Sequence, residues 1–115
     1  MNVRSNLGVL ARRTGHPADA RAEFERALAF APDHFIARLG LGEVLQLLGD
    51  HARALAELGR ARALAPADVE VNRAYAGSAF VLGRDVEAIA AYRTALAGDA
   101  GDVESLEGLA WLLAM

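Results

Sequence analysis

The sequence lacks cysteine and lysine, contains only three prolines, and has few aromatic residues, which make up 6% of its 115 positions. The absence of cysteine excludes disulfides, iron–sulfur clusters and thiol catalysis. The scarcity of aromatic residues, beside abundant alanine, favours closely packed helices over a β-sandwich or barrel. No apolar run approaches the roughly 18–20 residues of a membrane span, and the N-terminus has no signal-peptide core. We therefore expect a helical, cytoplasmic protein without a cofactor or a membrane partner.

Acidic residues only slightly outnumber basic ones. The chain carries 12 arginines against 15 acidic residues, for a net charge of −3, which argues against a nucleic-acid partner. Hydrophobic residues make up 54% of the chain, enough to bury a core. Since arginine, alanine and glycine all have GC-rich codons, the composition also suggests a bacterial origin.

An internal repeat of 34 residues organises the whole chain. When the sequence is shifted by 34, Leu7-Gly8 falls on Leu41-Gly42 and Ala31-Pro32 falls on Ala65-Pro66, with 13 identities in the 34 positions. A second shift aligns Gly83 with Gly49 and keeps the spaced alanines. The predicted units are 1–34, 35–68, 69–102 and a partial unit, 103–115, within a single domain.

Each unit has the pattern of two helices separated by glycine, the usual residue just past a helix end. We predict that Asp33, Asp68 and Asp102 cap the first helices of their units, and that Asp50 and Asp85 cap second helices. The sequence predicts seven helices in total, at 2–14, 18–31, 35–48, 52–65, 69–82, 86–98 and 103–114.

This pattern resembles the tetratricopeptide repeat (TPR), whose unit combines Leu-Gly, spaced alanines, aromatic residues and a terminal proline. In the first unit the matching residues are Leu7, Gly8, Ala20, Phe24, Ala27 and Pro32. Departures occur at the usual tryptophan, which is replaced by Arg4, Arg38, Asn72 and Leu106. The resemblance implies an all-α, right-handed superhelical array of antiparallel helix pairs, about 3.5 repeats long.

The resemblance also implies a concave groove, lined by the first helices of successive units, that binds a peptide or a helix of a protein partner. The groove residues carried over by position are Arg12, Ile36, Leu39, Glu43, Arg73, Phe80 and Trp111. Ser5, Val9, Leu39 and Gly40 occupy the positions where some family members clamp a chaperone's C-terminal carboxylate, and these side chains cannot form that clamp. Arg12, Arg13 and Arg73 remain able to hold an acidic stretch of another partner.

No arrangement of residues predicts catalysis. His16 and His51 lie in neighbouring turns, but no third ligand at a suitable spacing completes a metal site. The serines have no histidine and acid partner at a spacing that implies a triad. We therefore expect a protein that is not an enzyme and that binds neither a metal nor a cofactor.

The last helix forms an exposed apolar stripe. Leu106, Leu109 and Leu113 recur at spacings of three and four, and the second helix that would cover them is missing from the partial unit. We expect the chain to form a homo-oligomer, most simply a homodimer, through this stripe. Two readings of the whole protein stand beside an interaction scaffold: a regulatory or positioning segment of a larger bacterial enzyme, and a self-assembly module.

Overall fold

A computed structural model describes residues 15–114, and this part of the chain forms six helices and no strand. The helices are α1 (Pro17–Phe30), α2 (Phe35–Leu47), α3 (His51–Leu64), α4 (Val69–Val81), α5 (Asp85–Gly98) and α6 (Val103–Ala114). The all-α prediction is confirmed for these residues. Six of the seven predicted helices are present, and the remaining one, 2–14, lies outside the described residues.

The helices form two layers. Each helix packs against the next one in the chain, and the connecting turns of only three or four residues make neighbours antiparallel. In addition, α2 contacts α4 and α4 contacts α6, whereas no Cα atoms of α1, α3 and α5 come within 8 Å of one another in the described region. Because α2, α4 and α6 lie closer together, they form the inner, concave layer and the other three form the outer layer.

The turns inside the repeats follow the 34-residue period. Gly15, Gly49 and Gly83 have φ angles of 83°, 84° and 75°, the left-handed conformation in which glycine carries no penalty. At the end of α2, the Asp50 N–H donates to the Leu45 carbonyl at 2.9 Å, and the Arg84 N–H makes the matching bond to Ala79 at 2.8 Å. These are the bonds of a Schellman motif, which ends a helix and reverses the chain.

The helix caps keep the same period, and this corrects two predictions. Asp50 and Asp68 are confirmed as N-caps, accepting from the N–H groups of Arg53 (3.2 Å) and Val71 (2.9 Å). The cap of α2 is His34, whose Nδ1 accepts from the Ala37 N–H at 3.2 Å, and not Asp33. Position 34 is one period before Asp68, so the cap site falls on the histidine.

The second correction follows from the same period. The cap of α5 lies 34 residues after Asp50, at Arg84, and Asp85 is the first residue inside the helix. Asp85 therefore contributes its charge to the positive end of the helix dipole rather than a capping hydrogen bond. Asp102, one period after Asp68, accepts hydrogen bonds from both the backbone and the hydroxyl of Ser105 at the start of α6.

The core alternates small and large side chains between the two layers. Its alanines are fully buried and allow the helix backbones to approach, and larger residues fill the space between them. The buried alanines are Ala20, Ala27, Ala37, Ala54, Ala61, Ala76, Ala79, Ala88, Ala91 and Ala95. Since α2 and α4 each pack against outer helices on two sides, burial is continuous from α1 to α5.

Close contacts between repeats require glycine. A Cβ atom on Gly40 would lie less than 3 Å from the ring of Phe24, and one on Gly108 would lie less than 3 Å from the ring of Tyr92. Each glycine sits on an inner helix and each aromatic ring on the preceding outer helix. The corresponding position in α4 is Ala74, which packs against the core cluster that contains the smaller Leu58. At this position between repeats, glycine therefore stands opposite each aromatic ring.

The Gly108→Ala variant tests this size match. The added methyl group would overlap the buried ring of Tyr92, and overpacking of this kind costs about 1–3 kcal/mol. We expect the free energy of unfolding, measured by urea denaturation, to fall by that amount.

Gly59→Ala is the matched control because Gly59 is also inside a helix, α3, and its Cβ would meet only Tyr75, at 3.6 Å. Alanine is the better helix former by about 0.5–1 kcal/mol, so this variant should be as stable as the parent chain or more so. Equal destabilisation by the two substitutions would show that contact with Tyr92 does not limit residue 108.

Candidate binding groove

The inner surface is held together by polar side chains that join adjacent inner helices. Gln46 of α2 donates from Nε2 to the Ala74 carbonyl and to the Ser78 hydroxyl of α4, both at 2.8 Å. Gly77 lies beside this amide, and a Cβ there would be 3.7 Å from Gln46 Nε2. These bonds fix the spacing of α2 and α4, so the surface between them is formed before any partner binds.

The predicted groove residues differ in how much of each side chain solvent can reach. Ile36 and Trp111 are exposed, at 46% and 60%. Glu43 is half-buried, and Phe80 is half-buried against the core cluster of α4 and α5. Arg12 lies outside the described residues. The exposed part of the inner surface is therefore centred on α4 and α6, together with the two ends of α2.

The prediction of an accessible side chain is wrong for Leu39. It is only 5% exposed and belongs to the core cluster that also contains Val71 of α4. The reason is the direct contact between inner helices, which closes over the middle of α2. A polar substitution at Leu39 would therefore report on stability and not on binding.

Arg73 is half-buried between α4 and the start of α6 and is already paired with acids. Its Nη1 donates to Asp102 Oδ1 at 2.7 Å, and its Nε lies 3.3 Å from Glu104 Oε2. This corrects the expectation that Arg73 holds an acidic stretch of a partner, since its guanidinium already has two carboxylates in contact. Its function in the fold is to join two inner helices.

The two members of this pair shift each other's pKa. The hydrogen bond from the Ser105 hydroxyl, followed by the hydrogen bond and charge of Arg73, holds the pKa of Asp102 below its ordinary value against the opposing effect of burial. Burial lowers the pKa of Arg73, but the hydrogen bond and charge of Asp102 outweigh it and raise that pKa overall. Both groups stay charged at neutral pH.

A cleft of about 310 Å³ on another side of the molecule lies between α1, α2 and α3 and was not predicted from the sequence. Arg38 on its wall donates to Glu57 Oε2 and to the Pro32 carbonyl, both at 2.7 Å. Arg53 and Glu25 form a second ion pair at 3.0 Å. The signal in the sequence was Arg38 itself, which stands where the repeat pattern usually has tryptophan. The charges in this cleft are matched, so it shows no preference for a ligand of either sign.

The predicted apolar stripe on α6 is exposed in part. Leu106 and Leu113 are 47% and 57% exposed, whereas Leu109 is half-buried and packs against the core cluster of α4 and α5. The residues one period before Leu106 and Leu113 are Asn72 and Ala79, and both are fully buried. Ala79 belongs to a core cluster with Ala88 and Ala91 of α5, whereas Asn72 bonds to Arg62 of α3 and to the carbonyls of Pro66 and Asp68. We call the surface of Leu106, Ala110 and Leu113 the open face of α6.

Two observations concern the classes of site and partner considered in the sequence. Within residues 15–114, no three His, Cys, Asp or Glu side chains come together in a group able to hold a metal ion. No helix in that range is long and apolar enough to cross a membrane.

Sequence comparison decides the family. The family model described as "Tetratricopeptide repeat" matches residues 5–58 and 48–103, which together span most of the chain. The chain belongs to the tetratricopeptide repeat family. No curated protein sequence matches it.

Solved TPR structures share the fold at low sequence identity. The first TPR domain of human RPAP3 has a TM-score of 0.90 at 17% identity, with 97% of this chain and 88% of that chain covered. The first TPR of Spaghetti (RPAP3), bound to the HSP90 peptide SRMEEVD, has a TM-score of 0.93 at 17% identity, covering 97% and 89%. The O-GlcNAc transferase of Thermobaculum terrenum has a TM-score of 0.88 at 23% identity, covering 96% of this chain and 21% of the enzyme.

The Asp102→Asn variant tests the ion pair between the inner helices. Because the pKa of Asp102 is lowered in the folded state, its stabilising effect is present above its unfolded-state pKa of about 3.9 and is lost as pH falls through the folded-state pKa. We expect Asp102→Asn to lower the free energy of unfolding by up to about 1 kcal/mol at pH 7, because asparagine can still cap the helix but loses the charge that pairs with Arg73. The stability of the variant and of the parent chain should converge as the pH falls through the folded-state pKa of Asp102.

Asp99→Asn is the control, because Asp99 is exposed and its side chain accepts a hydrogen bond from the Gly101 N–H, at 3.1 Å. Urea denaturation at several pH values measures the free energy of unfolding of both variants and of the parent chain. A difference between Asp102→Asn and the parent chain that stayed constant down to pH 2 would show that the charge of Asp102 does not stabilise the junction.

Proposed function

We propose that this TPR domain is a non-catalytic interaction module whose inner surface binds a segment of another protein. The observation that carries the proposal is the set of apolar side chains left uncovered on the inner helices. Val81 and Trp111 are 58% and 60% exposed, and Phe80 is half-buried beside them. Apolar surface that a fold leaves uncovered in a concavity is typical of a binding site.

The related structures support a peptide as the ligand. The first TPR of Spaghetti (RPAP3) is bound to an HSP90 peptide. The second TPR domain of human RPAP3 is in complex with the HSP70 peptide SGPTIEEVD. The inner helices of this chain are fixed to each other by Gln46 and Arg73, so the groove is formed in advance. A preformed groove binds a peptide at a lower entropic cost than a mobile surface.

The Val81→Glu variant tests the groove. Peptides that bind the full chain are first selected from a displayed library, and their affinities are then measured by calorimetry. A charge buried against the apolar side chains of a bound peptide should weaken binding at least tenfold, about 1.4 kcal/mol. Because Val81 is exposed at the end of α4, the melting temperature should stay nearly unchanged.

Val86→Glu is the matched control, since Val86 is a more exposed valine on the outer helix α5. It should bind the selected peptides like the parent chain. If the two substitutions had equal effects, or if neither had any, the peptides would bind elsewhere and the groove assignment would be wrong.

We also propose that the 115-residue chain forms a homodimer through the open face of α6. The supporting observation is that Leu106 and Leu113 are half exposed at positions that are fully buried in the preceding repeat. Because about half of each leucine is already covered, burying the rest would contribute roughly half of the 1.5–3 kcal/mol that full burial provides. Two copies of the open face related by a two-fold axis would cover each other.

Light scattering after gel filtration, at two protein concentrations, measures the mass of the particle. We expect the mass of a dimer at the higher concentration and that of a monomer for Leu113→Lys. Val86→Lys, on the outer surface, should leave the dimer intact. A monomer at both concentrations would contradict the proposal and leave the open face to a different helix.

A segment of a larger bacterial enzyme is the second candidate function. The observation that favours it is the likeness to part of the Thermobaculum terrenum O-GlcNAc transferase, of which this fold covers 21%. In such a protein, a following helix would cover the open face of α6 as α5 covers α4. Chain length in the native organism, measured by immunoblotting, separates this candidate from a free-standing module.

A further inference from the structure

Acidic and basic residues are distributed unevenly along the chain. Over residues 1–68, nine arginines stand beside eight acidic residues, whereas over 69–115 three arginines stand beside seven acidic residues. The net charge of −3 is therefore concentrated in α4, α5 and α6 and the turns between them. A partner that meets this part of the molecule meets a negative potential.

The inner side of α4 and α6 holds much of that negative charge. We call this surface, formed by Glu70, Arg73, Phe80, Val81, Glu104, Glu107 and Trp111, the acidic half of the groove. Glu70 is close enough to Arg73 to raise its pKa, and Glu104 lies 3.3 Å from the Arg73 Nε. Arg73 is its sole basic residue among those described, and it is already neutralised by Asp102 at 2.7 Å.

The acidic residues lie toward the starts of α4 and α6, and the apolar residues lie toward the ends of the same helices. On α6, Glu104, Glu107 and Trp111 follow one another at intervals of three and four, so they lie along one side of the helix. All three are exposed. On α4, Glu70 lies near the start of the helix, and Phe80 and Val81 lie at its end. The surface therefore offers apolar contact with carboxylates beside it.

From this arrangement we propose that the acidic half of the groove binds a basic amphipathic segment, which carries both apolar side chains and arginine or lysine side chains. The inference rests on the groove function proposed above and adds the chemistry of the partner. The apolar side chains of the segment would cover Val81 and Trp111, and its cations would face Glu104 and Glu107. The exposed indole of Trp111 adds a site over which a cation is attracted.

A groove with this charge prefers basic peptides to acidic ones. The HSP90 peptide in the related RPAP3 structure, SRMEEVD, carries three acids and one arginine. An acidic peptide in the α4–α6 half of this groove would meet like charges, which lowers affinity and slows association. Among partners with similar apolar residues, the carboxylates of this surface therefore favour those that carry basic residues.

Three synthetic helical peptides test the proposal. They share the same leucine positions and differ only in carrying lysine, glutamine or glutamate at the remaining positions. Trp111 is the single tryptophan of the chain, so its emission reports burial without a label. We expect the lysine peptide to shift the emission to shorter wavelength and to bind at least tenfold more tightly than the glutamate peptide. Raising the salt from about 50 to about 300 mM should weaken the binding of the lysine peptide, because exposed charges are screened.

The Glu104→Gln/Glu107→Gln double variant removes the charges beside Trp111. It should lower affinity for the lysine peptide several-fold and leave affinity for the glutamine peptide unchanged. The control is Asp85→Asn/Glu87→Gln, which removes two exposed charges from the outer helix α5 and gives the same net charge. This variant should bind the lysine peptide like the parent chain.

Three results would overturn the proposal. Equal or tighter binding of the glutamate peptide would show that the groove does not select basic segments. Equal losses in the two double variants would show attraction to net charge and not to this surface. Failure of all three peptides to shift the Trp111 emission would place their binding elsewhere. None of these results bears on the library-selected peptides, whose sensitivity to Val81→Glu tests the groove function separately.

Discussion

The close approach of each inner helix to the outer helix before it is the contact on which the rest of the structure depends. Phe24 meets Gly40 and Tyr92 meets Gly108 because a glycine leaves room for an aromatic ring between two helix backbones. Within a repeat, Leu58 lies against Gly42 in the same manner. These pairs fix the distance between successive repeats, and the repeats in turn place the inner helices near enough for Gln46 and Arg73 to join them. The groove is thus a consequence of packing in the core.

Much of the fold was predictable because the repeat places strict demands on particular residues. The glycines at 15, 49 and 83 are required by a left-handed turn, and any sequence with this period must place glycine or a similar residue there. The same period explains why two cap predictions failed. A cap is defined by its position in the turn, so His34 serves where an aspartate was expected one residue earlier.

The site was less predictable than the fold, since accessibility depends on how repeats pack against each other. Leu39 and Arg73 occupy equivalent positions in successive repeats, but one is buried in the core and the other forms ion pairs with the start of α6. The two residue types differ, but the repeat pattern that assigned both positions to the groove does not show which of them a neighbouring helix covers. The partner of Arg73 is Asp102, 29 residues away, whose capping function was the more visible signal. Pairwise contacts of this kind become visible only when the helices are placed in space.

The two exposed surfaces of α6 lie on different sides of one helix. At about 100° per residue, the line of Glu104, Glu107 and Trp111 is separated by roughly 120° from the open face of Leu106 and Leu113. The first surface faces the groove, and the second points along the array, where the preceding repeats place an outer helix. A second copy or a further helix on the open face would therefore not cover Trp111. Because α6 contacts both α4 and α5, covering the open face would instead hold α6 more firmly against these two helices. Assembly at this end and peptide binding on the inner surface are therefore compatible, and the first would stabilise the geometry that the second requires.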